Sequence, residues 1–337
     1  MTSIRSHKAF YLTFSFSVIA LSISLIMINR YIDPRGIYRT GKFQVLVATA
    51  RYEKSILIQS CNPKPQCIIL GDSTCMRYSP HLIEKLTGLR TFNYAVNSGK
   101  MEDFLALLRY VLEELDIKPS LVILGVRPRS FYHRSIEDFD KRLLHNQVLM
   151  KYVPLNTFSA GAKAVKINFE SLNWDYLKDV AKSVKKTRKH EPTSISGFKF
   201  QKNGFLHTDG TYDKASQFVN GDKTFKTEEA LGFSKERLRY LDLFLTICKK
   251  NDIKLKIVIT PNHPAFIKRV NQLDGSYTRM QKKLHTMLMN KNIDNYFDLY
   301  DFSQIENYGG IDEFMGGDHP SIYHSSLIIK KIFEETN

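Results

Sequence analysis

The residues of this chain that could do chemistry begin with a serine. In the stretch Cys67–Pro80, CIILGDSTCMRYSP, the apolar run Cys67-Ile68-Ile69-Leu70 stops at Gly71-Asp72-Ser73. An apolar run that ends at glycine and small polar residues is how a buried parallel strand reaches the rim of an open α/β sheet. That rim, at the carboxyl ends of the strands, is where such folds carry their chemistry. A serine hydroxyl is a weak nucleophile near neutral pH. It needs a base within hydrogen-bond reach, a group that orients the base, and donors for the oxyanion. His319 is the candidate base: it follows two glycines, lies in a loop after the last strand and opens the last helix. The alternative for it is a surface-loop histidine. His263, in Pro261-Asn262-His263-Pro264, also ends a strand and is a candidate substrate contact, with a structural histidine as the other reading.

These side chains need a scaffold, and the hydrophobic pattern supplies one. After the first strand, Ser79-Pro80 opens a short helix that Gly88 can cap. Thr91–Val96 reads as a second strand, ending in Asn97-Ser98-Gly99-Lys100. Met101–Leu115 is an amphipathic helix with Phe104, Leu105, Leu108, Val111, Leu112 and Leu115 on one face. Leu121–Val126 is a third strand, followed by Arg127-Pro128-Arg129. Strand and helix alternating at this spacing predict a parallel sheet. The region 132–229 breaks the rhythm and reads as an insertion, with turns at Lys202-Asn203-Gly204 and Asp209-Gly210-Thr211. The rhythm resumes with a helix over Ser234–Lys250, a strand over Leu255–Thr260, a helix over Tyr277–Met289, a strand over Asp294–Leu299 and a closing helix. The expected fold class is therefore α/β with a parallel sheet, interrupted by a large insertion.

On Gly71-Asp72-Ser73 after a strand, on Asn93-Tyr-Ala-Val-Asn97-Ser-Gly99, and on His319-Pro320-Ser321 before the final helix, the chain resembles the SGNH (GDSL-like) hydrolases and acyltransferases. The resemblance implies a three-layer, flavodoxin-like domain with Ser73 as nucleophile and His319 as base. It implies oxyanion donors at the backbone of Ser73 and at Gly99, with Asp72 and Asn97 beside the substrate. Two positions depart from the family pattern. The aspartate three residues before the histidine is replaced by Gly316, which leaves Asp318, Asp312 or no acid at all to complete the site. The third block's Gly-x-Asn-Asp is replaced by Gly125-Val-Arg127-Pro-Arg129, where an arginine could bind an anionic group, stabilise the oxyanion or form a structural salt bridge. The likeness extends to membrane-anchored members such as the D-alanine transfer protein of teichoic acids and the alginate O-acetylation proteins. These act on cell-surface polymers, often beside a membrane-bound O-acyltransferase.

The chain of 337 residues, 43% hydrophobic, is long enough for one large globular domain with an embellishment. A formal net charge of +15 raises nucleic acid as a partner. The basic residues, however, are scattered rather than sharing a face with aromatic residues or a known motif, which argues against it. The one dense run, Lys182-Ser-Val-Lys185-Lys186-Thr-Arg188-Lys189, is either a solvated face or a contact for anionic lipid headgroups or an anionic glycan. Cys61, Cys67, Cys75 and Cys248 lack zinc-ligand spacing, so no metal is expected. Cys61 and Cys67 could close a small disulfide loop in an oxidising compartment or stay as thiols. No glycine-rich phosphate loop follows the first strand, and no cofactor is expected.

Residues from Ala9 to Ile28 carry no charge, about the length that crosses a bilayer core as a helix. No small-x-small cleavage site follows, which favours an uncleaved anchor over a signal peptide. Arg5 and Lys8 precede this run while Arg30, Arg35, Arg39 and Lys42 follow it, so charge alone does not place the bulk of the chain outside. The expected organisation is an anchor over 1–30, a juxtamembrane segment over 31–64 and an SGNH-like domain over 65–337, outside the cytoplasmic membrane. The expected activity is O-acyl transfer, with acetyl as the expected group, or de-esterification on a cell-envelope polysaccharide. The alternative is a catalytically silent domain of the same fold that binds glycan or scaffolds an acyltransferase.

Overall fold

A computed structural model describes residues 2–36, 38, 40–46, 50–132, 143, 146–154, 172–189, 200–206, 232–263, 267–268, 271–272, 275–303 and 319–334. The chain divides into two compact units. One comprises Met1–Tyr52, Arg142–Met150 and Pro154–Gly197; the other comprises Glu53–Lys141, Lys151–Val153 and Phe198–Asn337.

The second unit holds the sheet. Among the described residues, strands β1 (Cys67–Leu70), β2 (Thr91–Asn93), β3 (Leu121–Val126), β4 (Lys254–Ile259) and β5 (Phe297–Asp301) pair in parallel in the order β2-β1-β3-β4-β5. This is the flavodoxin-like order, in which the chain moves to one side of β1 and then returns to the other. The crevice beyond the carboxyl end of β1 is therefore a switch point. Every residue of β1 and β3 is buried, which accounts for their unbroken apolar runs. Each such Ile or Leu contributes about 1.5–3 kcal/mol.

Local chemistry sets the ends of the flanking helices. Helix α2 (Ala50–Gln59) leads toward β1. Helix α3 (Pro80–Thr87) begins at Ser79, whose hydroxyl accepts from the Leu82 amide at 3.3 Å, with proline next in the chain. It ends at Gly88 in a left-handed conformation, φ 71°. Helix α4 (Met101–Arg109) passes into a π turn over Tyr110–Glu114 instead of running as one α-helix to Leu115. It is tied to α7 (Lys235–Lys250) by a buried bidentate pair, in which Arg237 Nε and Nη2 donate to Glu102 at 2.8 and 2.7 Å.

Two strands differ from the sequence expectation. The regular pairing of β2 ends at Asn93, not Val96, where the Asn93 side chain bonds the turn that follows β1. Its Nδ2 donates to the carbonyls of Cys75 and Tyr78, both at 2.8 Å, while Oδ1 accepts from the Ala95 amide at 3.1 Å. Strand β5 starts at Phe297 rather than Asp294. After α8 (Ser276–Lys291), the Asn292 side chain bonds both the amide and the carbonyl of Phe297, and Asn295 adopts φ 47°, so the intervening residues form a turn. The Lys202-Asn203-Gly204 turn lies along the outer side of β2, where Asn93 N–H donates to Asn203 O at 2.9 Å. The Asp209-Gly210-Thr211 turn lies outside the described residues. Cys61 and Cys67 are free thiols, so the expected disulfide option is not taken up; Cys67 is buried within β1.

The last helix, α9 (Ile322–Glu334), buries His324. Burial pushes its imidazole down to about 4 from 6.5. The unfolded chain therefore binds the proton more readily between those values, and stability rises with pH there. Stability is expected to fall as pH drops from about 6.5 toward 4 and to lose this dependence below that. Denaturant midpoints across this range check it, with a shallower slope in His324→Leu.

In the first unit, α1 (Thr2–Ile32) contains Ala9–Ile32, a stretch long and apolar enough to cross a membrane. A short helix α5 (Gln147–Met150) and α6 (Trp174–Arg188) belong to the same unit, so part of the region expected as an insertion into the α/β domain groups with the N-terminal segment.

Candidate active site

The site assembles where β1 ends. Gly71 has φ 155°, and a Cβ there would come within 2.7 Å of Cys75 Sγ. A glycine thus lets the chain leave the strand and coil at once into the 3₁₀ turn Ser73–Cys75. The Cys75 side chain in turn occupies the space over Gly125 of β3, where a Cβ would approach Sγ to 2.0 Å. The turn is therefore seated on the sheet by two glycines and one small side chain. Burial pushes the Cys75 thiol up to about 12, so it stays protonated and is no rival nucleophile.

Asp72 caps this turn. Its Oδ1 accepts from the Thr74 amide at 2.9 Å and from the Thr74 hydroxyl at 2.6 Å. Its Oδ2 pairs with Arg127 Nε, which projects from just past β3, and the two side chains are only 6% and 9% exposed. The Thr260 hydroxyl, just past β4, lies 3.2 Å from that of Thr74. Loops after β1, β3 and β4 are thus clasped around Ser73 by one polar chain.

Ser73 Oγ lies 2.7 Å from His319 Nε2, across most of the length of the chain. Both residues are half-buried. In this geometry a neutral imidazole with a bare Nε2 accepts the hydroxyl proton. The ring is placed by α9, whose start is fixed two residues later by Ser321: its hydroxyl accepts from His324 N–H at 3.1 Å, and its carbonyl from Ser325 N–H at 2.9 Å. Ser73 is the first residue of its 3₁₀ turn, a position whose N–H no helical carbonyl can take.

The remaining sequence candidates fall as follows. Gly99 is beside the turn, since the chain after β2 stays bonded to β1 through Tyr94 N–H to Ile69 O (2.8 Å) and Val96 N–H to Gly71 O (2.9 Å). A Cβ on Gly99 would meet Gly71 O at 3.0 Å. Its own amide, expected as an oxyanion donor, donates to Val96 O at 3.2 Å, closing a turn through Asn97 and Ser98. Asn97 is half-buried in that turn. Asp72 and Arg127, both expected beside the substrate, pair with each other at the end of β1, and Asp72 also bonds the turn. Arg129 stands exposed on the same rim. His263 is fully buried after β4. Asp318 and Asp312, the candidate orienting acids, lie outside the described residues. No cluster of side chains suited to a metal occurs among the described residues.

One supporting residue went unread in the sequence. Lys54 of α2 is fully buried, and its Nζ donates to Asn93 Oδ1 at 3.2 Å and Ala95 O at 2.8 Å. Burial lowers its pKa well below the ordinary value. Through Asn93 it braces the carbonyls of Cys75 and Tyr78, directly behind the turn that carries Ser73. The available signal was its spacing: Lys54 falls four residues after Ala50 and four before Ile58, both buried, on one helical stripe.

Comparison with known proteins places this geometry in context. A family model described as "Protein of unknown function (DUF1574)" matches residues 52–334. No curated protein matches the chain. Among solved structures, the chain is similar to a GDSL-like lipase from Bacteroides thetaiotaomicron at 12% identity, covering 85% of this chain and 95% of that one with a TM-score of 0.36. It is similar to a putative acylhydrolase from Bacteroides fragilis at 11% identity, covering 85% and 94% with a TM-score of 0.36. It is also similar to a carbohydrate acetylesterase family member from Sinorhizobium meliloti at 12% identity, covering 80% and 97% with a TM-score of 0.32.

Proposed function

We propose, from the premise that this chain belongs to the family described as protein of unknown function (DUF1574), that it is a serine-dependent acyl-transfer enzyme anchored in a membrane. The observation that carries the reading is the 2.7 Å contact between Ser73 Oγ and His319 Nε2. Ser73 Oγ attacks the carbonyl carbon of an ester as its proton passes to His319 Nε2. The tetrahedral oxyanion is held by the Ser73 amide, together with Gly99 if its turn opens. Collapse expels the alcohol, which takes the proton from Nε2 and leaves an acyl-serine. A sugar hydroxyl or water then gives its proton to Nε2 and attacks the acyl carbon, and Ser73 Oγ departs with that proton. Transfer and hydrolysis differ only in that second acceptor.

The acceptor or substrate is a cell-envelope polysaccharide and the acyl group is acetyl. Helix α1 holds the α/β unit at the outer side of the cytoplasmic membrane, where a membrane-bound O-acyltransferase could supply the acyl group. Support for the polymer is the analogy with anchored SGNH proteins, which rests on an apolar α1 of spanning length, the domain size and the Asp33-Pro34 turn after it.

A second reading has an observation in its favour: the Gly99 amide is bonded to Val96, and Arg127 stands where the family has an asparagine and is paired to Asp72. A domain with those donors committed would bind glycan or scaffold an acyltransferase without turnover. The purified protein is treated with a serine-directed organophosphonate and, separately, an activated acetyl ester, then mapped by mass spectrometry. The acyl-transfer reading expects an adduct on Ser73. A folded protein with Ser73 unmodified by either reagent selects the silent domain.

A further inference from the structure

The basic run of the sequence belongs to α6, and α6 packs against α1. The connecting segment fastens it there. Arg35, just past α1, bonds Asp179 through Nε at 2.9 Å and Nη2 at 2.8 Å, and its guanidinium lies 4.6 Å from the Tyr176 ring centroid. Farther along α6, Thr187 Oγ1 accepts from Gln44 N–H at 2.8 Å, and Ser183 Oγ donates to Gln44 O at 2.6 Å. Tyr176 and Ser183 are buried, and Val180 and Thr187 continue that stripe half-buried. The helix is therefore pinned along one face, next to the point where the apolar stretch of α1 ends.

The opposite face is a different surface. Trp174, Lys178, Lys182, Lys185, Arg188 and Lys189 are all exposed and recur at three- and four-residue spacing, so they share one side of the helix. Of the two acidic residues of α6, Asp179 is turned away to Arg35, and Asp175 pairs with Lys178 in the first turn. Trp174, the only tryptophan of the chain, is 69% exposed at the end of this stripe. An amphipathic aromatic beside a row of cations is the composition of a helix that lies on a charged interface. Its attachment at the exit of an apolar helix of spanning length puts the row within reach of headgroups.

We propose that this stripe of α6 docks on the anionic lipid surface of the leaflet from which α1 emerges. Lys178, Lys182, Lys185 and Arg188 would meet phosphodiester headgroups and Trp174 would enter the interface. The proposal rests on α1 spanning the membrane and is independent of whether Ser73 is reactive.

Trp174 makes the test direct, because all tryptophan emission comes from it. The full-length protein is placed in lipid nanodiscs of phosphatidylcholine with or without phosphatidylglycerol, some with brominated acyl chains. In anionic discs, emission is expected to shift to the blue and to be quenched by bromine. Both effects should be lost in phosphatidylcholine, at high salt, and in K178Q/K182Q/K185Q/R188Q. Each basic residue removed should weaken the association about fivefold. The salt titration needs no variant and so does not depend on how the quadruple substitution folds. Emission unchanged in anionic discs, or equal in neutral ones, overturns the proposal. So does displacement of the tryptophan signal by soluble polygalacturonate, which would assign the stripe to a glycan. A chain that is not retained in discs overturns the spanning reading and this one together.

Discussion

The His319→Ala variant is expected to acylate Ser73 about 10²- to 10⁴-fold more slowly than the parent, the usual worth of a positioned base, while remaining folded. Ser73 Oγ has Nε2 of this ring 2.7 Å away, so the imidazole is the group placed to take its proton. Without it the hydroxyl must ionise into solvent, and its nucleophilicity near neutral pH becomes that of an ordinary alcohol. Folding should survive, because α9 is capped by Ser321 and not by His319. The measurement is the rate of organophosphonate adduct formation on Ser73, read beside the circular dichroism of both proteins. An unchanged rate in a folded variant would show that another group activates the serine. A rate as low as that of the parent in denaturant would show that the ring supplies nearly all of the activation.

Arg127→Ala is expected to cost about 3–5 kcal/mol of stability, because it strands a carboxylate that the fold has taken out of water. Asp72 is 6% exposed at its side chain, with one oxygen satisfied by Thr74 and the other by Arg127. Removing the guanidinium leaves the second oxygen without its countercharge, and the turn that carries Ser73 must open to let water in. Ser73 reactivity should therefore fall together with the denaturant midpoint. The double variant Asp72→Asn, Arg127→Met removes both charges at similar volume and should recover most of the lost stability. Equilibrium denaturation of the three variants separates the cases: a loss under about 1 kcal/mol in Arg127→Ala would mean that the pair is screened by solvent as a surface pair is.

Much of the scaffold was legible because buried parallel strands leave a plain mark. The runs Cys67–Leu70 and Leu121–Val126 are strands over the residues that the apolar pattern marks, and Ser79, Gly88 and Ser234 sit at the helix ends expected of them. The serine and histidine could be read as neighbours only through the resemblance, since nothing local couples residues so far apart. What stayed hidden follows the same rule. Arg127 reads equally well as a substrate ligand or an ion-pair partner until Asp72 is seen against it. The Gly99 amide looks available until Val96 is found accepting from it. Lys54 reads as a surface lysine because its acceptors, Asn93 and Ala95, belong to another strand end. Asn93 at the end of β2 is hidden in the same way, because its side-chain partners, Lys54, Cys75, Tyr78 and Ala95, are known only from the fold. The region 132–229 lacks the strand-and-helix alternation of the rest of the chain, and its basic run reads equally as a solvated face or a contact surface until the opposite stripe of α6 is seen against Arg35 and Gln44.

The bond from Asn93 to Asn203 has a consequence for how the protein is made. Translation delivers β1, β2 and β3 early, whereas the segment that lines the outer side of β2 and the strand that pairs with β3 both emerge much later. Until then the growing chain presents a three-strand sheet with two unsatisfied borders, each a template for another polypeptide. The interval is lengthened by Arg142–Met150 and Pro154–Gly197, which belong to the other compact unit, so the insertion sets a period of vulnerability on the ribosome. A chaperone that shields strand borders would matter most to this protein during that interval, and a shorter insertion would be expected to raise the yield of folded chain.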